Sequence, residues 1–280
     1  LKFEIVPAAE IQIAEQAKVF NAAFAGYLVT FPEMDAAGMA RFICAQGIDL
    51  CHSRFARSEN GAFASFGYIN RTGNFSRLAA MGTAPGARRT GAAAFLLSHL
   101  IGEAIARRDI AMVLEVFEQN APAHSLYVRN GFREVTRLFG WRRQAQRKID
   151  NVIELEEIPL LDATAMNTPT DFPDLPWQIS RFATAKSLGM RAFRLDRTCV
   201  IISNPEVSLV RVHGFFGHDR GDWEPVRDLM RALTTKFREA EFFAPQIFPE
   251  QFGREVFQPL GFARETLNQF LMRRELSDSR

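Results

Sequence analysis

The sequence has 280 residues, 47% hydrophobic and 24% charged, with 18 glycines and 13 prolines. That composition excludes a disordered or fibrous protein and fits one large or two ordinary domains. A net charge of +2 gives no ground for nucleic-acid binding, and no apolar run reaches the roughly 18 residues of a membrane span. Charge is uneven along the chain. Residues 1–150 carry 18 Lys and Arg against 13 Asp and Glu, or +5, and the remainder 16 against 19, or −3, so an anionic ligand belongs with the first part.

Phe3 to Pro7 reads as extended. Ile13, Ala17, Phe20 and Phe24 then repeat at helical spacing, and Gly26 ends that helix. A second helical stretch near Met34 to Ile43 precedes strand-like runs at 50–57, 62–71 and 75–82, with a turn at Arg71-Thr72-Gly73-Asn74. The clearest helix spans about 90–108. Its apolar face is Ala93, Leu97, Leu100, Ile101 and Ala104, and Arg107 and Arg108 stand at the negative end of its dipole. A strand at 110–117 leads to a helix capped by Asn120, with Pro122 in its first turn and Gly131 past its end. This alternation predicts a mixed sheet with helices on its faces.

The plan returns downstream. Residues 152–159 read as extended, 168–176 as a linker, 198–203 and 207–216 as strands, and 223–237 as a helix. Both halves close alike, with Gly131-Phe132-Arg133-Glu134 before Trp141-Arg142-Arg143, and Gly261-Phe262-Ala263-Arg264-Glu265 before Met272-Arg273-Arg274. A diverged tandem duplication follows, with its boundary near 145–152 and domains at 1–148 and 149–280.

The chemistry gathers in the first half. Arg88-Arg89-Thr90-Gly91-Ala92-Ala93 follows a strand and opens a helix, where unpaired amides and the dipole can cradle a pyrophosphate. The bland reading is a helix start packed on the sheet through small residues. Some thirty residues on stand Leu114-Glu115-Val116-Phe117-Glu118-Gln119-Asn120-Ala121-Pro122-Ala123 and Leu126-Tyr127-Val128-Arg129-Asn130-Gly131-Phe132. This ordered pair resembles the GNAT superfamily of acetyl-CoA-dependent N-acetyltransferases. The resemblance is specific over about 75–143 and faint over 150–280. It implies an α/β (mixed α+β) fold of two tandem GNAT-like domains, each a mixed twisted sheet flanked by helices.

The likeness also implies roles. Met81, Gly82 and Thr83 would hold the pantetheine arm through their backbone. The amides of Arg88, Arg89, Thr90, Gly91, Ala92 and Ala93 would hold the pyrophosphate. Two central strands would part around the thioester, Asn120 would contact the pantetheine, and Tyr127 would protonate the leaving thiolate as a general acid. The other reading of Tyr127 is an aromatic with its hydroxyl satisfied. Glu115, twelve residues before Tyr127, lies in a Leu-Glu-Val strand resembling that of ribosomal-protein N-terminal acetyltransferases, where this Glu is the base. The alternative is a strand residue paired with a nearby Arg. In the loop Gly26 to Phe31, Tyr27 is the residue expected to line the amine pocket, and Phe31 to cover the core.

The second half lacks both signals. Its corresponding junction, His218-Asp219-Arg220-Gly221-Asp222-Trp223-Glu224-Pro225, offers Asp222 as an N-cap where a phosphate would need the amides. A degenerate domain without coenzyme A is expected, serving to stabilise the first, shape the acceptor cleft or mediate a homo-oligomer. The five histidines show no metal-ligand spacing, so acetyl-CoA as co-substrate and no metal are expected. His99 reads as a helix-surface or core imidazole, His124 as part of a solvated helix start, Cys44 and Cys51 as small packed hydrophobes, and Cys199 as buried and inert. Without a CxxC pair, or a basic start and apolar middle at Leu1 to Ile5, the location expected is cytoplasmic. The leading function is acetyl transfer to a primary amine, small molecule or peptide, in a ternary complex, with no nucleic-acid or membrane partner. The alternative is a non-catalytic acyl-CoA-binding module for regulation or interaction.

Overall fold

A computed structural model describes residues 3–146, 153–166, 176–179, 189–203, 208–219 and 221–276. Most of the linker expected at 168–176 lies outside them. The chain divides into two compact units, one of 3–134 with 272–276 and the other of 135–271. Both are mixed α/β.

The first unit opens with β1 (Phe3–Pro7), α1 (Ile13–Phe24) and α2 (Ala36–Ala45). Asp35 caps α2, accepting from Gly38 N–H at 2.7 Å. An antiparallel meander follows, β2 (Ile48–Ser58), β3 (Phe63–Thr72) and β4 (Phe75–Thr83), with β1 on the far side of β2. Helix α3 (Ala92–Ala106) crosses over to β5 (Ala111–Phe117), parallel to β4. It buries Ala92, Leu96, Leu97, Leu100, Ile101 and Ala104, a stripe one residue wider than the sequence pattern and without Ala93. Helix α4 (Ala121–Arg129) closes the unit, capped by Asn120 as expected. Phe20, Phe55, Phe66 and Tyr68 fill the core between the first helices and the sheet. Cys44 and Cys51 are exposed, not packed as expected, because both fall on solvent-facing positions of α2 and β2.

In the second unit the strand order is β6 (Arg133–Arg143), β11 (Glu241–Pro249), β10 (Leu209–Phe216), β9 (Thr198–Ser203), β8 (Met190–Leu195) and β7 (Glu156–Ile158). A short α5 (Leu160–Ala165) follows β7, and α6 (Glu224–Lys236) connects β10 to its parallel neighbour β11. The β4–α3–β5 crossover of the first unit thus recurs as β10–α6–β11. The last strand is β12 (Ala263–Glu275).

The sequence repeat divides near 148, whereas the compact units part between Glu134 and Val135. Packing gives the reason. Phe139 and Trp141 of β6 lie in one core with Phe242, Phe248 and Phe257, and the N–H of Leu276, past the end of β12, donates to Ile110 O at 2.9 Å in the first unit. Among the described residues no helix is long and apolar enough to cross a membrane.

Candidate active site

Strands β4 and β5 pair only from Phe75–Ala111 to Leu78–Leu114, after which each runs on without the other. The parting has a local cause. On the other side of β4, Tyr68 faces Ala80 and Ile69 faces Leu78, so Ala79 is an extra residue. Such a bulge bends its strand and sharpens the twist. Beyond it Met81, Gly82 and Thr83 pair with Gly67, Phe66 and Ser65 of β3, and β5 no longer covers their opposite edge. A Cβ on Gly82 would stand 2.6 Å from Phe66 and 2.8 Å from Ala23, so only glycine lets β4 pass here.

At the end of β4 the chain turns through Pro85–Ala87 and enters α3 with two left-handed residues, Arg89 at φ 65° and Gly91 at φ 92°. A non-glycine residue in that region is uncommon. Gly91 is the N-cap and has no side chain to fold over the helix start; the first helical hydrogen bond runs from Phe95 N–H to Gly91 O at 2.9 Å. The amides of Ala92, Ala93 and Ala94 are therefore left to an outside acceptor. Thr90 Oγ1 donates to Ala87 O at 2.7 Å and fixes the turn. Arg88 reaches back, donating from Nη2 to Ala23 O at 3.1 Å.

Tyr127 lies on α4 at 7% exposure, edge-on to Phe132 at 5.8 Å. Its hydroxyl has no hydrogen-bond partner among the described residues, which leaves it available. Burial, with the Tyr27 phenol adding to it, holds its pKa well above the ordinary tyrosine value. Asn120 has two tasks: Oδ1 accepts from Ala123 N–H at 3.3 Å, and Nδ2 donates to Tyr27 Oη at 3.3 Å. Tyr27 packs on Phe117, the last residue of β5, at 6.1 Å, and burial raises its pKa as well. The structure thus brings Tyr27, Asn120 and Tyr127 together at the open end of the parted strands.

Glu115 follows the last β4–β5 pair and is bound to Arg77. Nε donates to Oε2 at 2.9 Å and to Oε1 at 3.3 Å, and Nη2 to Oε2 at 2.7 Å, with both side chains 4% exposed. Of the two sequence readings of Glu115, the arginine pair is the arrangement found. Arg77 itself escaped sequence reasoning; its signal was a charge set among apolar residues of a strand neighbouring that of Glu115. His124 sits at the exposed start of α4, 2.8 Å from Glu134, and His99 lies 3.2 Å from Glu103.

The second unit repeats the parting but fills it. β10 and β11 pair only from Leu209–Glu241 to Arg211–Phe243. Beyond that point Phe215, Phe248, Phe252 and Phe257 pack ring to ring, with Phe215 on Phe252 at 5.1 Å and Phe248 on Phe257 at 5.2 Å. Asp222 is not the N-cap expected of it. Trp223 takes that position, and Asp222 accepts from Arg197 Nη2 at 2.8 Å. Cys199 is buried as expected, its thiol pushed up to about 12 by burial.

Residues 22–132 match the model of the acetyltransferase (GNAT) family. Those residues, which lie in the first unit, carry the GNAT acetyltransferase domain. Solved structures of the same fold include a GCN5-related N-acetyltransferase from Sphaerobacter thermophilus (TM-score 0.64, 13% identity, 99% of this chain and 97% of that one). Another is a GCN5-related N-acetyltransferase from Anabaena variabilis (0.63, 15%, 99% and 73%). A tandem GNAT protein from the clavulanic acid biosynthesis pathway matches end to end (0.61, 13%, 100% and 100%). At such identities the likeness is one of fold, and it supports two GNAT-like units in this chain. No curated protein matches the sequence.

Proposed function

We propose that the first GNAT unit transfers acetyl from acetyl-CoA to a primary amine by direct attack in a ternary complex. The observation that carries this is the helix start at Gly91, uncapped and preceded by a strand whose outer edge is free beyond Leu78. The amides of Gly91, Ala92 and Ala93, with the dipole of α3 and the charges of Arg88 and Arg89, suit a diphosphate. Met81, Gly82 and Thr83 offer backbone groups to the amides of a pantetheine arm, and the second N–H of Asn120 Nδ2 is left to join them. Acetyl-CoA supplies an activated thioester. Tyr127 stays protonated in its buried site and serves as the acid for the departing sulfur. The Arg77–Glu115 pair occupies both carboxylate oxygens, so the proton shed by the amine leaves through water, and Glu115 acts by holding the floor of the cleft.

The second unit, 149–280 by sequence repeat, carries no coenzyme site in this reading. Its aromatic cluster and the acidic residues Asp219, Asp222 and Glu224 at the start of α6 oppose an anion. Titration of the full chain with coenzyme A tests the proposal. One site per chain, lost in Gly91→Asp, together with amine-dependent thiol release, is the expected result. Two sites would overturn the assignment of the second unit. Tight binding with no thiol release across an amine panel, indifferent to Tyr127→Phe, would favour the binding module instead.

A further inference from the structure

The loop after α1 runs Gly26-Tyr27-Leu28-Val29-Thr30-Phe31-Pro32-Glu33, and it is held closed at both ends. At the far end the Asn21 side chain donates to Met34 O at 2.8 Å and accepts from Met34 N–H at 3.0 Å. At the near end Tyr27 N–H donates to Phe24 O at 3.1 Å. Between them lies a cavity of about 370 Å³, small among ligand sites.

Its walls are aromatic. Phe31 meets Phe20 edge-on at 5.7 Å and Phe24 at 5.1 Å, and Phe24 meets Tyr27 at 5.1 Å. Besides Tyr27, whose hydroxyl accepts from Asn120, three polar side chains line it. Asn21 is spent on Met34, and Thr30 is exposed. Glu33 is exposed too, with no hydrogen bond or ion pair among the described residues. Tyr27 belongs both to this cavity and to the Asn120–Tyr127 group at the mouth of the parted strands. One end of the cavity therefore adjoins the site of reaction.

Resting on the acetyl-transfer reading, we propose that the acceptor is a primary amine on a small aromatic body bearing no carboxylate. An apolar body fills the ring-lined space, and ring faces favour a cation beside them. A sugar-like amine would bury hydroxyls against rings that offer no partners, which costs free energy. Glu33 gives the cavity lining a net negative charge with no cation to offset it, and this disfavours an acceptor that carries a carboxylate.

The probes are 2-phenylethylamine, phenylalanine and glucosamine, tested on the full chain at saturating acetyl-CoA. Calorimetric binding of 2-phenylethylamine in the presence of coenzyme A gives a readout independent of turnover. The expected kcat/KM for 2-phenylethylamine exceeds that for phenylalanine by about a hundredfold. Glu33→Gln narrows that ratio about tenfold by improving phenylalanine, and Phe31→Ser weakens 2-phenylethylamine in both KM and Kd by about tenfold with coenzyme A binding unchanged. Equal use of phenylalanine, preference for glucosamine, or Glu33→Gln leaving the ratio as it was overturns the inference. If coenzyme A binds and hydrophilic amines are acetylated best, the acceptor class alone is wrong. If coenzyme A does not bind, the acetyl-transfer reading falls and takes this inference with it.

Discussion

Arg77 and Glu115 stand on neighbouring parallel strands, one just before and one just after the last paired position, and close that point with hydrogen bonds of 2.7 and 2.9 Å. Removing one partner leaves the other charged and buried. Arg77→Met is therefore expected to cost about 3–5 kcal/mol, and Arg77→Met with Glu115→Leu to recover most of it; denaturant midpoints of the three proteins check this. Kinetics separate the roles of Glu115. Glu115→Gln is expected to lower kcat uniformly with pH if the carboxylate only holds the cleft. A loss concentrated at low pH would make it the base.

Tyr127→Phe tests the acid. The expected result is a fall in kcat of about a hundredfold, with coenzyme A affinity kept because the ring still packs on Phe132. Thiol release under single-turnover conditions reads it directly.

The three tyrosines are all raised by burial, Tyr27, Tyr68 and Tyr127 alike. A folded pKa above the unfolded value of about 10 means stability that is complete below pH 10 and lost as pH rises beyond it. The native chain is expected to show less tyrosinate absorbance than the urea-unfolded chain at the same pH above about 10, and to unfold more easily as pH climbs past that point. Early tyrosinate in the native state would contradict the burial of these phenols.

Much of the first unit was legible because local signals agree with the fold. Helical spacing marks α1 and α3, Asn120 and Gly131 bracket α4, and Gly91 marks the turn into α3. What escaped depends on distant contacts. β11 hid behind Pro245 and Pro249, residues that argue against a strand; the structure tolerates Pro245 where the pairing with β6 shifts register between Ala244 and Phe248. β12 begins with charged, exposed positions that blur its alternation. The Arg77–Glu115 pair joins residues 38 apart, and Tyr27 meets Asn120 across 93, separations that no local pattern encodes. Asp222 had the right chemistry for a cap but is drawn off by Arg197.

Two glycines separate strain from crowding. A Cβ on Gly91 meets nothing within 4 Å, yet its φ of 92° is unfavourable for any other residue. Gly91→Ala is expected to cost about 1–2 kcal/mol and to weaken coenzyme A as the helix start shifts. Gly82 has no such φ, but its Cβ would collide with Phe66 and Ala23, so Gly82→Ala costs about 1–3 kcal/mol by overpacking. In double-mutant cycles Phe66→Leu should couple favourably to Gly82→Ala, easing the Phe66 clash though not the one with Ala23, and show no coupling to Gly91→Ala, as thermal midpoints would show.

In the second unit burial, reinforced by Arg211, pushes His213 down to about 4, and Ser203 Oγ lies 2.8 Å from its Nε2. The folded chain thus resists protonation that the unfolded chain accepts near pH 6.5. Stability from this histidine is present above pH 6.5 and lost as pH falls through 6.5 toward 4, by about 3 kcal/mol at the limit. Carboxylates titrate over the lower part of that range, so the comparison that isolates it is with His213→Gln. The wild type is expected to lose more of its denaturant midpoint than the variant between pH 7 and pH 5, because the variant has no imidazole to protonate. Parallel curves for the two proteins would mean that His213 is solvated and titrates alike in both states.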